Sequence, residues 1–249
     1  MEAVTRRLKT ALRPFVPKSI HEKWRRIMFE REQNAVRGKP LEEVFTEIYE
    51  TSIWGTPDGA RYHSGPGSEP AITKGYEDFV VRYLEHHPEI QSLVDIGCGD
   101  FQVSKRILGK LKRPVKYIGC DIAPNVVAYN AAHHAQPGSI EFIHLDVSRE
   151  PPLSADLVTV REVLQHLSNA TIRAVLQNLR ARFETAIITE SVYDTPSAPN
   201  LDIVSGYRTR EGLKSGVYLD LPPYNLDVFD RYEIKVRDEE TIRTLVVKL

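Results

Sequence analysis

Eight residues constrain this chain more than any others: Leu93-Val-Asp-Ile-Gly-Cys-Gly-Asp100. An apolar run that carries one acid and ends in two glycines one residue apart predicts a buried strand turning sharply into a helix. Gly97 and Gly99 let the backbone come closer to a ligand than a side chain would permit. The spacing also argues against one class of ligand. A dinucleotide site needs a third glycine three residues after the second, where helix, strand and pyrophosphate crowd together. Here Gly99 is followed by Asp100, Phe101 and Gln102.

Two further stretches repeat the pattern of an apolar strand closed by an acid, Tyr117-Ile-Gly-Cys-Asp121 and Ile140-Glu-Phe-Ile-His-Leu-Asp146. Asp121 is suited to holding two ribose hydroxyls, and Asp146 to accepting from an adenine amino group. With Asp95 they place acids at three successive strand ends. That suits a ligand carrying hydroxyls, amines and a positive centre, and repels a pyrophosphate. S-adenosylmethionine is such a ligand.

From Leu93 to Glu190 the chain resembles the core of class I S-adenosylmethionine-dependent methyltransferases. Val94-Asp-Ile-Gly-Cys-Gly99 matches their first motif, Asp121 their second, and Asp146 with Val147 their third. Asp156-Leu-Val-Thr-Val160 and Val163-Leu-Gln-His-Leu167 resemble the fourth strand and the segment after it. The resemblance implies an α/β fold: a Rossmann-like, seven-stranded, mostly parallel sheet with helices on both faces and the last strand antiparallel. Strands are expected near 92–97, 115–121, 139–145, 155–160 and 184–190, with a closing hairpin at 232–236 and 242–249. It also implies cofactor contacts from Ser64, Gly65, Asp95, Gly97, Gly99, Asp121, Ile122, Asp146, Val147 and Arg161.

Charge is unevenly distributed. Residues 1–39 hold eleven Lys or Arg against four acids, although the whole chain has a formal net charge of −1. Val4, Leu8, Leu12 and Phe15, then Ile20, Trp24, Ile27 and Met28, form two apolar stripes among these cations. We expect residues 1–39 to be a basic amphipathic helical arm and 40–249 the methyltransferase domain. The arm would dock on an anionic membrane surface, pack on its own domain, or join a second subunit in a homo-oligomer. No run approaches the roughly 20 apolar residues of a membrane span, and the start of the chain does not resemble a secretory signal. Cys98 and Cys120 fall in the strand-end pattern instead of a disulfide framework. A cytoplasmic protein, at most peripheral to the inner membrane, is expected.

Two segments flank the expected cofactor site. The glycine- and aromatic-rich loop 54–68 ends in Ser64-Gly-Pro-Gly-Ser68, whose hydroxyls and N–H groups suit a lid over a carboxylate. The insertion 191–226 holds Asn200, Asp202, Arg208, Arg210, Tyr218 and Tyr224, a mixture suited to a polar acceptor. His166, just past the fourth strand, is the candidate base, with Glu162 able to orient its ring. A magnesium ion on Glu162, Glu190 and Asp202 stays open as an alternative. The acidic balance of the main domain and the lack of an Asn-Pro-Pro-Tyr or Asp-Pro-Pro-Tyr motif argue against a nucleic-acid substrate. Ser64–Ser68, Val163–Leu167 and Ser215-Gly-Val-Tyr-Leu-Asp-Leu-Pro-Pro-Tyr224 together resemble methyltransferases associated with glycan and polysaccharide synthesis. The implied acceptor is a sugar hydroxyl on a glycan or glycosylated metabolite. The alternatives are O- or N-methylation of a small natural product, or a homologue that binds cofactor without turnover.

Overall fold

The structure is a computed structural model that describes residues 18–55 and 61–249. Its helices are α1 (Lys18–Val36), α2 (Leu41–Glu50), α3 (Pro70–His86), α4 (Gln102–Lys110), α5 (Pro124–His134) and α6 (Asn169–Arg180). The strands are β1 (Ser92–Ile96), β2 (Lys116–Asp121), β3 (Ile140–His144), β4 (Leu157–Arg161), β5 (Thr185–Tyr193), β6 (Asp227–Arg237) and β7 (Glu240–Lys248). They form one seven-stranded sheet in the order β3-β2-β1-β4-β5-β7-β6. Strands β1 to β5 pair in parallel, and β7 runs antiparallel to both β5 and β6. This is the expected fold. Strand order reverses beside β1, which opens a crevice outside the carboxyl ends of β1 and β4.

The central strands are apolar because both of their faces are covered. Val94, Ile96, Ile118, Val158, Val160 and Ile188 point to one side, against Val44 and Ile48 of α2 and Ile172, Val175 and Leu179 of α6. Leu93, Tyr117, Leu157 and Ile187 point to the other, against Phe79, Val80 and Leu84 of α3 and Ile107 of α4. Helix starts follow local chemistry. Pro70 and Pro124 occupy first turns, where a missing N–H is no loss. Ser168 caps α6 by accepting from the Thr171 N–H at 3.1 Å, a bond worth about 1 kcal/mol.

Two boundaries differ most from expectation. β6 begins at Asp227, five residues before the expected strand, because its first residues are largely solvated, with Phe229 62% exposed, and its alternation is interrupted by a register shift between Val228 and Asp230. β5 continues to Tyr193, where Ser191, Val192 and Tyr193 pair with β7, so the connection to β6 starts three residues later than expected. Of the basic arm, only the part from Lys18 falls within the described residues; the stripe Val4, Leu8, Leu12 and Phe15 lies outside them. α1 packs on its own chain: Phe29 abuts Gly212, Gln33 Oε1 accepts from the Val204 N–H, and Glu32 takes both Arg208 donors at 2.7 and 2.8 Å. Trp24 and Ile27 face outward. No helix among the described residues is long and apolar enough to cross a membrane.

Candidate cofactor and acceptor site

A cavity of about 510 Å³ opens at the carboxyl ends of β1, β2 and β4, a size ordinary for small-molecule sites. One end is the glycine turn. Gly97 and Gly99 have φ of 69° and 53°, in the left-handed region that other residues avoid. A Cβ at Gly97 would lie 2.2 Å from Val163 Cγ2, and one at Gly99 2.2 Å from Ser64 Oγ. The turn is tied to the next strand by Gly97 and Cys98 N–H groups that both donate to the Cys120 carbonyl at 2.7 and 3.1 Å.

The three acids do different work. Asp121 accepts from the Gly99 N–H at 3.0 Å and the Ala123 N–H at 2.9 Å, so it locks the turn while lining the cavity. Each of its oxygens keeps a second lone pair for a ligand hydroxyl. Asp146 lines the adjoining wall with Val147 and is braced by the Ser148 N–H and hydroxyl. Asp95 instead accepts from the hydroxyls of Ser104, Tyr117 and Thr159 at 2.6–2.8 Å. It reaches the cavity wall, but chiefly joins β1 to α4, β2 and β4. Burial raises the pKa of Asp95 and Asp121, and their hydrogen-bond donors pull it back down.

The Ser64–Ser68 segment lines this end of the cavity and is already fastened. Ser64 Oγ accepts from the Asp100 N–H at 2.8 Å, and the Ser64 N–H returns a bond to Asp100 Oδ2 at 3.2 Å. Arg161 donates to the Gly67 carbonyl at 2.7 Å and lies over the Tyr76 ring at 5.2 Å. Its Nε is buried without a partner. A cation with an open donor beside a glycine turn and two ligand-facing carboxylates fits the amino-acid part of S-adenosylmethionine. Gly65 and Ile122 also line it, so nine of the ten residues read from the sequence face one cavity; Gly99 does not line it and acts through its N–H bond to Asp121.

At the other end His166 is 8% exposed, with Trp54 at 5.2 Å and Phe45 at 6.4 Å between ring centroids. Burial lowers its pKa from 6.5 to about 4, and the Arg210 charge adds to this. Nδ1 of His166 and the neighbouring Gln165 Oε1 are buried without partners. Glu162 does not orient the imidazole. Its Oε1 accepts from the Ser191 hydroxyl at 2.8 Å, and Oε2 lies 3.9 Å from Arg161.

The three expected metal ligands are not brought together. Glu190 accepts from the Leu164 and Gln165 N–H groups, each at 2.8 Å. Asp202 accepts from the Asn169 and Ile203 N–H groups. No group of three potential ligands is assembled among the described residues. Several insertion residues expected at the acceptor are structural as well: Asn200 binds the backbone of Tyr218 and Pro222, and the Tyr218 and Tyr224 hydroxyls donate to the Tyr193 carbonyl and Asn169 Oδ1. Of the expected insertion residues Arg208 does line the cavity, and Tyr207, Thr209 and Glu211 join it there.

Sequence reasoning passed over Asp100, Tyr49, Trp54 and Gln165. Asp100 directly follows the glycine turn, a usable signal. Trp54 and Tyr49 looked like helix and loop residues, and only the fold stacks them edge-on at 5.5 Å in the cavity wall.

Comparison with known proteins agrees with this geometry. Residues 94–184 match the family model of a methyltransferase domain. No curated protein matches the sequence. Similar solved structures include magnesium protoporphyrin IX methyltransferase from Synechocystis PCC 6803 with bound SAM, at 15% identity and TM-score 0.56, covering 86% of this chain and 99% of that one. The N-methyltransferase NodS from Bradyrhizobium japonicum WM9 with S-adenosyl-L-homocysteine is similar at 14% identity and TM-score 0.56, covering 81% and 98%. The cyclase SpnF matches at 15% identity and TM-score 0.53, covering 83% and 93%. At such identities these neighbours speak to the fold alone, and the presence of a cyclase shows that the fold carries more than one chemistry. The stretch from Val94 to Glu184 that matches the methyltransferase-domain model holds the glycine turn and all three strand-end acids.

Proposed function

We propose that the chain uses S-adenosylmethionine to methylate a hydroxyl of a small polar acceptor, a sugar on a glycan or glycosylated metabolite. One observation carries the reading. A single cavity joins the glycine turn, Asp121 and Asp146 to a buried imidazole whose Nδ1 and neighbouring amide oxygen have no partner in the protein. The bound cofactor would supply an already activated methyl group on its sulfonium. Asp121 then holds ribose hydroxyls, Asp146 and Val147 face adenine, and Arg161 with Ser64 and Gly65 meets the carboxylate. At the other end His166 Nδ1 takes the acceptor proton and Gln165 Oε1 accepts from a second donor, as a sugar would offer.

With a pKa of about 4, His166 stays neutral across the physiological range. It is always able to accept a proton but is a weak base, since base catalysis is most efficient when the pKa lies near the working pH. The same weakness favours a second reading, an amine acceptor that needs no base. His166→Ala separates the two. A hydroxyl acceptor predicts a loss of at least about a hundredfold in methyl transfer, and an amine acceptor a loss of a few-fold. The hydroxyl reading also predicts a wild-type rate that falls near pH 4 instead of near 6.5. The acceptor itself is sought by mass spectrometry of glycans from cells with and without the gene, read for one added methyl group. Glycans unchanged beside a methylated amine would overturn the sugar reading.

A further inference from the structure

The short 3-10 turn Leu164–His166 presents a problem that the rest of the chain solves. A turn this short satisfies few of its own backbone groups, and Leu164, Gln165, His166 and Leu167 are all buried. Each buried group left unpaired would be destabilising. The N–H groups of Leu164 and Gln165 go to the two oxygens of Glu190 on β5. All four carbonyls go to the insertion. Arg210 donates to Leu164 and Gln165 at 3.2 Å and to Leu167 at 2.7 Å, and the Gly206 N–H donates to His166 at 2.9 Å. Arg210 also donates to Asn169 Oδ1 at 2.7 Å and to the Leu201 carbonyl at 2.8 Å, which ties it to its own loop.

Arg210 is 1% exposed and Glu190 2%, and neither lines the main cavity. They face each other through the peptide units of Leu164 and Gln165: the carboxylate takes the N–H ends and the guanidinium the C=O ends. Five donors in a rigid planar fork suit this task, whereas the three donors of a lysine on a flexible stem do not.

We propose that Arg210 and Glu190 are positioning residues for His166, gripping its turn from opposite sides so that the imidazole is held dry in the cavity wall. The inference rests on the role given to His166 above. It makes the insertion a working part of the site, because the base is held only where the insertion is docked.

The test reads His166 directly, with no acceptor required. In the full-length chain labelled with 15N-histidine, the imidazole signal is assigned by its loss in His166→Gln and followed with pH, beside calorimetry with S-adenosyl-L-homocysteine. Arg210→Lys keeps the positive charge that acts on the ring, in company with Arg208 and Glu162 in the same cavity wall, but loses the fork. Its His166 should titrate at least about one pH unit higher, toward the solvated value, with cofactor affinity within about threefold of wild type. Glu190→Gln keeps shape and turns an amide N–H₂ toward a backbone N–H; it should move the titration the same way, and serves if the lysine variant does not fold. A merely structural role would lower thermal stability and leave the titration in place. Folded variants that bind the ligand with His166 titrating as in wild type would overturn the proposal. Failure of the wild type to bind would instead count against the function proposed above, and the titration would still report on the clamp.

Discussion

The two ends of the cavity are built in different ways. At the glycine turn, the two ligand-facing acids are satisfied by neighbours from the same set of strand ends: Asp121 by Gly99 and Ala123, Asp146 by Ser148. At the histidine, partners come from far along the chain. Arg210 reaches Leu167 from 43 residues away, and Glu32 reaches Arg208 across 176. The first end is a product of local turn chemistry on a finished sheet. The second exists only once the insertion and α1 have closed over that sheet, at the price of ordering a long connection.

That contrast can be broken most severely at the glycine turn. Gly99→Val forces a branched side chain onto Ser64 at a positive φ. Overpacking and backbone strain each cost about 1–3 kcal/mol, so affinity for S-adenosyl-L-homocysteine should fall at least about thirtyfold. The His166 resonance should stay where it is, since nothing at its end is touched. A matching shift of that resonance would show that the two ends are not separately built.

Asp121→Ala is the next largest change. It removes a ligand-facing carboxylate and leaves the Gly99 and Ala123 N–H groups unpaired, so affinity should fall at least about tenfold. Unchanged calorimetry would remove Asp121 from the ribose role. Arg161→Met should have the smallest effect and the most selective one. 5′-Methylthioadenosine lacks the amino acid that Arg161 is proposed to meet, so the wild type should favour S-adenosyl-L-homocysteine over it, and the variant should lose most of a preference of about tenfold. A variant that keeps the preference would place the carboxylate elsewhere, at Ser64 and Gly65 alone.

The sheet and the glycine-turn end were largely legible in the sequence. Buried parallel strands must be apolar on both faces, and a backbone that approaches a ligand needs glycine; both leave marks within a few residues. Leu93 to Gly99, Asp121 and Asp146 were therefore readable in place. Even there, reading stopped at position. Asp95 looks like its two companions, yet its oxygens are taken by hydroxyls from Ser104 on α4, Tyr117 on β2 and Thr159 on β4. No local pattern announces which acid keeps a free face.

The histidine end shows the other limit. Its aromatic wall, its insertion and His166 itself were visible as residue types, while their partnerships were not. Glu190 and Asp202 have the chemistry of metal ligands and Glu162 that of a histidine's partner, but all three are engaged by groups the sequence places elsewhere. Arg210 looked like one more polar loop residue, and becomes a buried clamp only because three carbonyls of one buried turn lie within its reach. The sequence by itself determined the strands, the turn and the acids at the strand ends, because side-chain alternation and backbone sterics act over a few residues. Tertiary structure decided which of those groups are free to meet a ligand, because a buried polar group takes whichever partner the fold brings within about 3 Å, whatever its distance along the chain.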